Sequence, residues 1–258
     1  MKGTVTVVGK GQVKAHSYRA PADGLHVTTQ LIETPKRIIA IDGQLTLEYA
    51  DEVVEYARGL GKPLDRLIIS HAHPDHFQGA GRFGVPIHAL PETITAIGAM
   101  GDLTDPSGRA VPLADVMPGV KVVEGTDLID GIPFVFDHLR GGEVADTLVV
   151  GLPEHRILAA QDVVSDRVHL WLADRDFAGW EANLSRLTSQ HYETILPGHG
   201  APVGPEIWTA VTDYLTIARD FADADADTYR AAMTERFPDH GGTEMIDLAF
   251  AHRAAPHS

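Results

Sequence analysis

The segment His71 to His76, HAHPDH, follows directly on the apolar run Leu67 to Ser70 and packs three histidines and an aspartate into six residues. A short apolar run of this kind reads as a buried strand, so the polar cluster falls at a strand end, where loops carry function. In extended backbone alternate side chains share a face, which sets His71 and His73 side by side. Two imidazoles so placed can grip one metal ion. Asp75 and His76, displaced by the turn at Pro74, can reach a second. The chain contains no cysteine, which excludes disulfides, thiolate ligands, iron–sulfur clusters and cysteine nucleophiles together. Any ion must therefore be held by nitrogen and oxygen, and 14 histidines make nitrogen plentiful.

At 258 residues and 44% hydrophobic composition, the chain can bury a sizeable core. Thr4 to Val8, Gln12 to Ser17, Leu25 to Ile32 and Arg37 to Ile41 read as short antiparallel strands separated by Gly, Pro and Asp. Thr46 to Leu60 has a helical face formed by Leu47, Tyr49, Val53, Val54, Ala57 and Leu60. Gly101 to Gly119 reads as a long loop, of the kind that often covers a site. The second half repeats the layout, with strands near Val120 to Val123, Ile132 to Phe136, Thr147 to Leu152, Arg156 to Ala160 and Thr194 to Leu196, and a helix over Phe177 to Thr188. Pro205 to Ala251 is expected to be largely helical, with Trp208, Val211, Leu215 and Ala218 facing inward. The expected class is α/β, with similar sheets in the two halves and a helical C-terminal part. The formal charge of −15 repels phosphate backbones and anionic lipid, so neither nucleic acid nor a membrane is an expected partner. The N-terminus has no apolar leader core and no run approaches a membrane span, which gives a cytoplasmic expectation.

HAHPDH after LIIS resembles the HxHxDH signature of the metallo-β-lactamase superfamily, and the flanking pattern agrees with that superfamily from about residue 25 to 204. The resemblance implies a four-layer αββα sandwich with a metal centre at one edge. It divides the chain into a catalytic domain, 1–204, and a helical C-terminal extension, 205–258, packed on it. Asp42 in IAIDG resembles the family's upstream aspartate, which supports the HxHxDH loop by hydrogen bonds. Asp162 in ILAAQDVV resembles the carboxylate that bridges two ions, with Gln161 where the family usually has Gly. His199 in ILPGHG resembles the last ligand, in a loop after a short strand. The third ligand of the first ion is normally a histidine, but nineteen residues before Asp162 stands Glu143, as in the alkyl sulfatase branch. His138, five residues earlier, is the competing candidate. The strands expected over Thr147 to Leu152 and Arg156 to Ala160 fix the register in favour of Glu143.

The implied centre holds two zinc ions, with iron or manganese as alternatives. His71, His73 and Glu143 bind one, Asp75, His76 and His199 the other, and Asp162 bridges them. Water held between the ions would attack an ester, lactone, thioester or related bond of a small molecule. Asp75 would orient the nucleophile or carry its proton. His169 is a second catalytic candidate, in a loop where related sequences place substrate-contacting groups. The competing readings are an iron-dependent oxidoreductase similar to persulfide dioxygenases, and a β-lactam hydrolase. The alkyl sulfatases carry long C-terminal domains for which this chain has no room, so Glu143 does not by itself imply sulfate chemistry. Trp171 and Trp180 read as packing residues, with Trp171 able to wall a pocket. His16, His26, His88, His155, His191, His240, His252 and His257 read as surface or satisfied core residues. The acidic run Phe221 to Asp227 reads as a solvated helix end, because it lacks the glycine and terminal glutamate of a calcium loop. The C-terminal helices could cap the pocket, form a homodimer face or finish the core.

Overall fold

Period-two alternation along the strands decides the layering. The computed structural model describes residues 1–9 and 11–254, so His257 lies outside the described residues. Its first half comprises β1 (Thr4–Val8), β2 (Lys14–Arg19), β3 (Thr28–Glu33), β4 (Ile38–Ile41), α1 (Leu47–Gly59), β5 (Leu64–Ile68), the short α2 (Pro74–Phe77) and β6 (Ile87–Ala89). There follow α3 (Pro91–Gly98), β7 (Leu103–Thr104), β8 (Ala110–Val111), α4 (Leu113–Val116) and β9 (Val120–Lys121). The second half comprises β10 (Gly125–Ile129), β11 (Ile132–Arg140), β12 (Asp146–Leu152), β13 (Ile157–Ser165), α5 (Phe177–Thr188) and β14 (Thr194–His199). The chain then continues through α6 (Ile207–Asp220), α7 (Ala226–Arg236) and α8 (Thr243–Ala254).

Sheet one has seven strands in the order β1-β2-β3-β4-β5-β6-β9, and sheet two has five in the order β10-β11-β12-β13-β14. Along β4, Ile39 and Ile41 face a core between the sheets, while Ile38 and Ala40 face a second core under α1. Along β12, Leu148, Val150 and Leu152 point into the same inter-sheet core, and Val149 points outward beneath α5 and α6. Three cores between four layers give the αββα sandwich. Helix α1 presents Tyr49, Ala50, Val53, Val54 and Ala57 to sheet one, and Thr46 caps it by accepting from the Tyr49 amide at 3.2 Å.

The observed C-terminal helices complete the outer core of sheet two. Trp208, Val211, Leu215 and Ala218 are buried as their spacing predicts, and Tyr214, Tyr229, Met233 and Ile246 join them. The stretch Gly101 to Gly119 is more structured than expected, with the β7–β8 hairpin and α4 inside it. It does not cover the histidine cluster: Asp105 accepts from the Leu47 amide, and Val111 and Val116 pack in the core under α1. Among the described residues no helix is long and apolar enough to cross a membrane.

Candidate metal centre

The segment after β5, running into α2, presents His71, His73, Asp75 and His76 beside sheet one, while β13 and the end of β14 present Asp162 and His199 from sheet two. Glu143 comes from the turn between β11 and β12. Two sets of ligand atoms take in the seven residues: His71, His73, Glu143 and Asp162 lie within 4.8 Å of one another, as do Asp75, His76 and His199, while Asp42, His71 and His76 form a further such group. The two sets bring together the seven residues named from the resemblance. Asp162 Oδ2 lies 3.9 Å from His71 Nε2, and 3.2 Å from both His76 Nε2 and His199 Nε2, so one carboxylate addresses both sets. His73 Nδ1 stands 3.4 Å from Glu143 Oε1. His138 is engaged elsewhere, with its Nε2 2.8 Å from Asp146 Oδ1.

Three of the four imidazoles are aimed by their other nitrogen. His71 Nδ1 meets Ser70 Oγ at 2.9 Å, His76 Nδ1 donates to Asp42 Oδ2 at 2.7 Å, and His199 Nδ1 donates to the Leu25 carbonyl at 2.7 Å. All three therefore turn Nε2 toward the cluster, the orientation that outer hydrogen bonds impose on metal-binding histidines. Asp42 has the supporting role expected of it, accepting from the Ser70 amide and Ser70 Oγ at 2.8 Å each. The Leu25 carbonyl is presented by a turn in which Leu25 and His26 both take left-handed backbone, φ 59° and 56°. That turn delays β3 to Thr28, later than the strand expected from Leu25.

The donor set fits a cation. His71 Nε2, His76 Nε2, Glu143 Oε2 and Asp162 Oδ1 are buried with no hydrogen-bond partner, an arrangement costly for groups meant to stay unligated. Burial, and then the neighbouring Asp162 charge, push the Glu143 carboxyl well above its ordinary range. Burial also works against a charged His76, but Asp162, Asp75 and Asp42 outweigh it and raise that ring well above the ordinary histidine range. His71 is pushed the other way, by burial and by His76, toward the neutral form that ligates. Three carboxylates and four imidazoles sharing so small a space are short of positive charge, which divalent ions supply.

Gly198 is part of the site and was not singled out from the sequence. Its missing side chain makes room for Asp162, because a Cβ there would fall on Asp162 Oδ1. His199 is the last residue of β14 rather than a loop residue, and β13 runs through Asp162 to Ser165. Trp171 borders the centre, its ring 5.4 Å from that of His73, with His252 of α8 5.7 Å further on. Trp180 is buried and donates to the Val163 carbonyl, a packing role. His169 sits deep beside α6, with Nδ1 2.9 Å from the Tyr214 hydroxyl and its ring near His240. No hydrogen bond or ion pair joins it to the seven clustered residues among those described. The residue is buried, and its Nε2 has no hydrogen-bond partner. His16 is a satisfied core residue, bonded to Tyr56 and Glu33. Asp225 of the acidic run caps α7.

The family model of the metallo-beta-lactamase superfamily matches residues 22–199, and the chain belongs to that superfamily. A linear primary-alkylsulfatase from Pseudomonas sp. (strain ATCC 19151) is 25% identical over 235 residues. That match takes in 74% of this chain but only 44% of the relative, so the chain spans less than half of the alkylsulfatase's length. Among solved structures, a metallo-beta-lactamase from Pontibacter korlensis superposes with a TM-score of 0.65 at 21% identity, covering 83% of this chain and 99% of its own. The mono-zinc form of the metallo-beta-lactamase FIM-1 from Pseudomonas aeruginosa superposes with a TM-score of 0.61 at 19% identity, covering 84% and 97%. At these identities the structural likeness is one of fold.

Proposed function

We propose that the protein is a binuclear, zinc-dependent hydrolase of a small molecule carrying an ester, lactone, thioester or related bond. The observation that carries this reading is the position of Asp162 Oδ2 between two sets of inward-turned donors. His71, His73 and Glu143 would hold one ion, Asp75, His76 and His199 the other, with Asp162 shared. Zinc in such a set acidifies water and polarises the oxygen of the bond under attack.

The chain's own groups define the approach. His73 is the most open ligand, with its side chain 23% exposed, while His71 and His76 are fully enclosed. Substrate therefore reaches the centre along the His73 side, where Trp171 offers an apolar wall. Asp75 Oδ2 lies 3.4 Å from both His76 Nε2 and His199 Nε2. Burial opposes its charge, but His76 and His199 hold the carboxyl below its ordinary range, so it stays ionised and able to orient an attacking water or accept its proton. A fold hosts many reactions, so the bond is chosen by assay.

The test is elemental analysis of the purified full chain, followed by turnover of a panel with an activated ester, a lactone, a thioester, a β-lactam and a primary alkyl sulfate. About two zinc ions per chain and turnover lost in Glu143→Ala but kept in His138→Ala are expected. A single iron per chain with thiol-dependent oxygen uptake would replace this reading with an oxidoreductase.

A further inference from the structure

Gln161 stands immediately before Asp162 in a backbone conformation that favours glycine, φ 46°, and is fully buried. The pairing of β13 with β14 shifts register on both sides of it, so its conformation is a local break in the ladder. The side chain has a specific destination. Its Nε2 donates to Asp42 Oδ2 at 2.5 Å, and only the nitrogen end of the amide can face a carboxylate acceptor. Asp42 is itself left-handed, φ 65°, and already accepts from the Ser70 amide, Ser70 Oγ and His76 Nδ1. Asp42 directly follows β4 of sheet one, whereas Gln161 lies in β13 of sheet two. The bond therefore crosses the sandwich directly beneath the clustered ligands. Strained backbone is kept where the surroundings enforce it, commonly at functional sites.

We propose that Gln161 is a positioning residue for the metal centre, tying Asp162 to the Asp42–His76 pair across the two sheets. It rests on the reading of the seven residues as a two-ion centre. One neighbour of Gln161 in the chain is the shared carboxylate, and its hydrogen-bond partner aims His76, whose Nε2 lies 3.2 Å from that carboxylate. Fixing Asp42 from the far sheet thus fixes the spacing of Asp162 and His76, both of which serve the ion held with Asp75 and His199. The ion held by His71, His73 and Glu143 depends on Asp162 but on no donor aimed directly by Asp42.

Cobalt(II) titration of the metal-free full chain, followed by visible absorption, tests this. Gln161→Met keeps the volume and removes the donor. Gln161→Gly suits the left-handed backbone and guards against failure to fold. Both variants are expected to weaken one of two binding steps by about 10- to 100-fold and to alter its absorption band, with a smaller loss at the other, which shares Asp162. Gln161→Met added to Asp42→Asn is expected to cause no further loss. Wild-type cobalt binding in both variants, with or without a lower melting temperature of the metal-free chain, would leave the two-ion reading standing and overturn this inference. Failure of the wild type to take up cobalt would overturn both.

Discussion

Gly198 and Asp162 are packed so closely that the glycine is as much a part of the centre as the ligands. Gly198→Ala should displace the Asp162 carboxylate, because the added Cβ would occupy the place of Oδ1. The expected outcome is a loss of metal from both positions, read by elemental analysis, with the fold retained by circular dichroism. Full metal loading in this variant would show that Asp162 is not the shared ligand. His169 supports a second expectation at this scale. Burial, with smaller effects from His240 and Arg230, lowers its pKa from the ordinary 6.5 to about 4. A depressed histidine contributes stability above its unfolded pKa and loses it as pH falls through the folded one, here between about pH 6.5 and 4. The loss is on the order of 3 kcal/mol if the Tyr214 bond holds the ring neutral throughout. Urea midpoints of the metal-free chain at pH 7 and 4 should therefore differ less in His169→Asn than in the wild type. An equal acid sensitivity in the two would remove His169 from the account.

At the scale of elements, α6 shows how the C-terminal helices contribute. Leu215 is fully buried in the core shared by α5, α6 and β13. Leu215→Ala should cost roughly 2–5 kcal/mol in urea unfolding, without changing metal affinity, because the cavity opens on the helical side of sheet two. A variant that instead lost metal would mean that α6 shapes the centre directly. The elements that were legible in sequence are those with a strong period. Both α1 and α5 carry clean apolar faces, and β4, β5 and β12 alternate between two cores. Strand β10 was missed because it is an edge strand, exposed from Gly125 to Leu128, with no buried face to impose alternation. Strands β13 and β14 run past the strands expected over Arg156 to Ala160 and Thr194 to Leu196, because the polar residues Gln161, Asp162 and His199 break the apolar pattern while Gln161 and His199 still pair, with Pro197 and Ser165. The ligand types of the centre were legible through their order and flanks. Gly198, Gln161 and the Leu25 carbonyl were not, since each acts on a residue far away in the chain. Only the packing of the sheets brings them together.

In the whole molecule, the centre joins two sheets that also meet through the apolar inter-sheet core and through bonds from Thr28 Oγ1 and Gln30 Nε2 to the Pro197 carbonyl. Asp42, Asp75, Glu143 and Asp162 are all buried near one another, within a chain of formal charge −15. Removing the cations should leave these carboxylates opposed by histidines alone and slacken the join at that edge. Ligand linkage sets the size of the effect: an ion present at a hundredfold excess over its Kd adds about 2.7 kcal/mol to stability, and two independent ions add up. Chelation should therefore lower the melting temperature, and returning zinc should restore it. Added sodium chloride should change that difference little, because the groups concerned are buried and poorly screened. Hydrogen exchange locates the effect: amides around Ser70 and His76 and those around Asp162 and His199 should lose protection together on chelation, since ions in the proposed centre would take donors from both sheets. Loss confined to one of these segments would mean that the ions belong to one sheet. Equal melting temperatures with and without zinc would mean that they do not join the sheets at all.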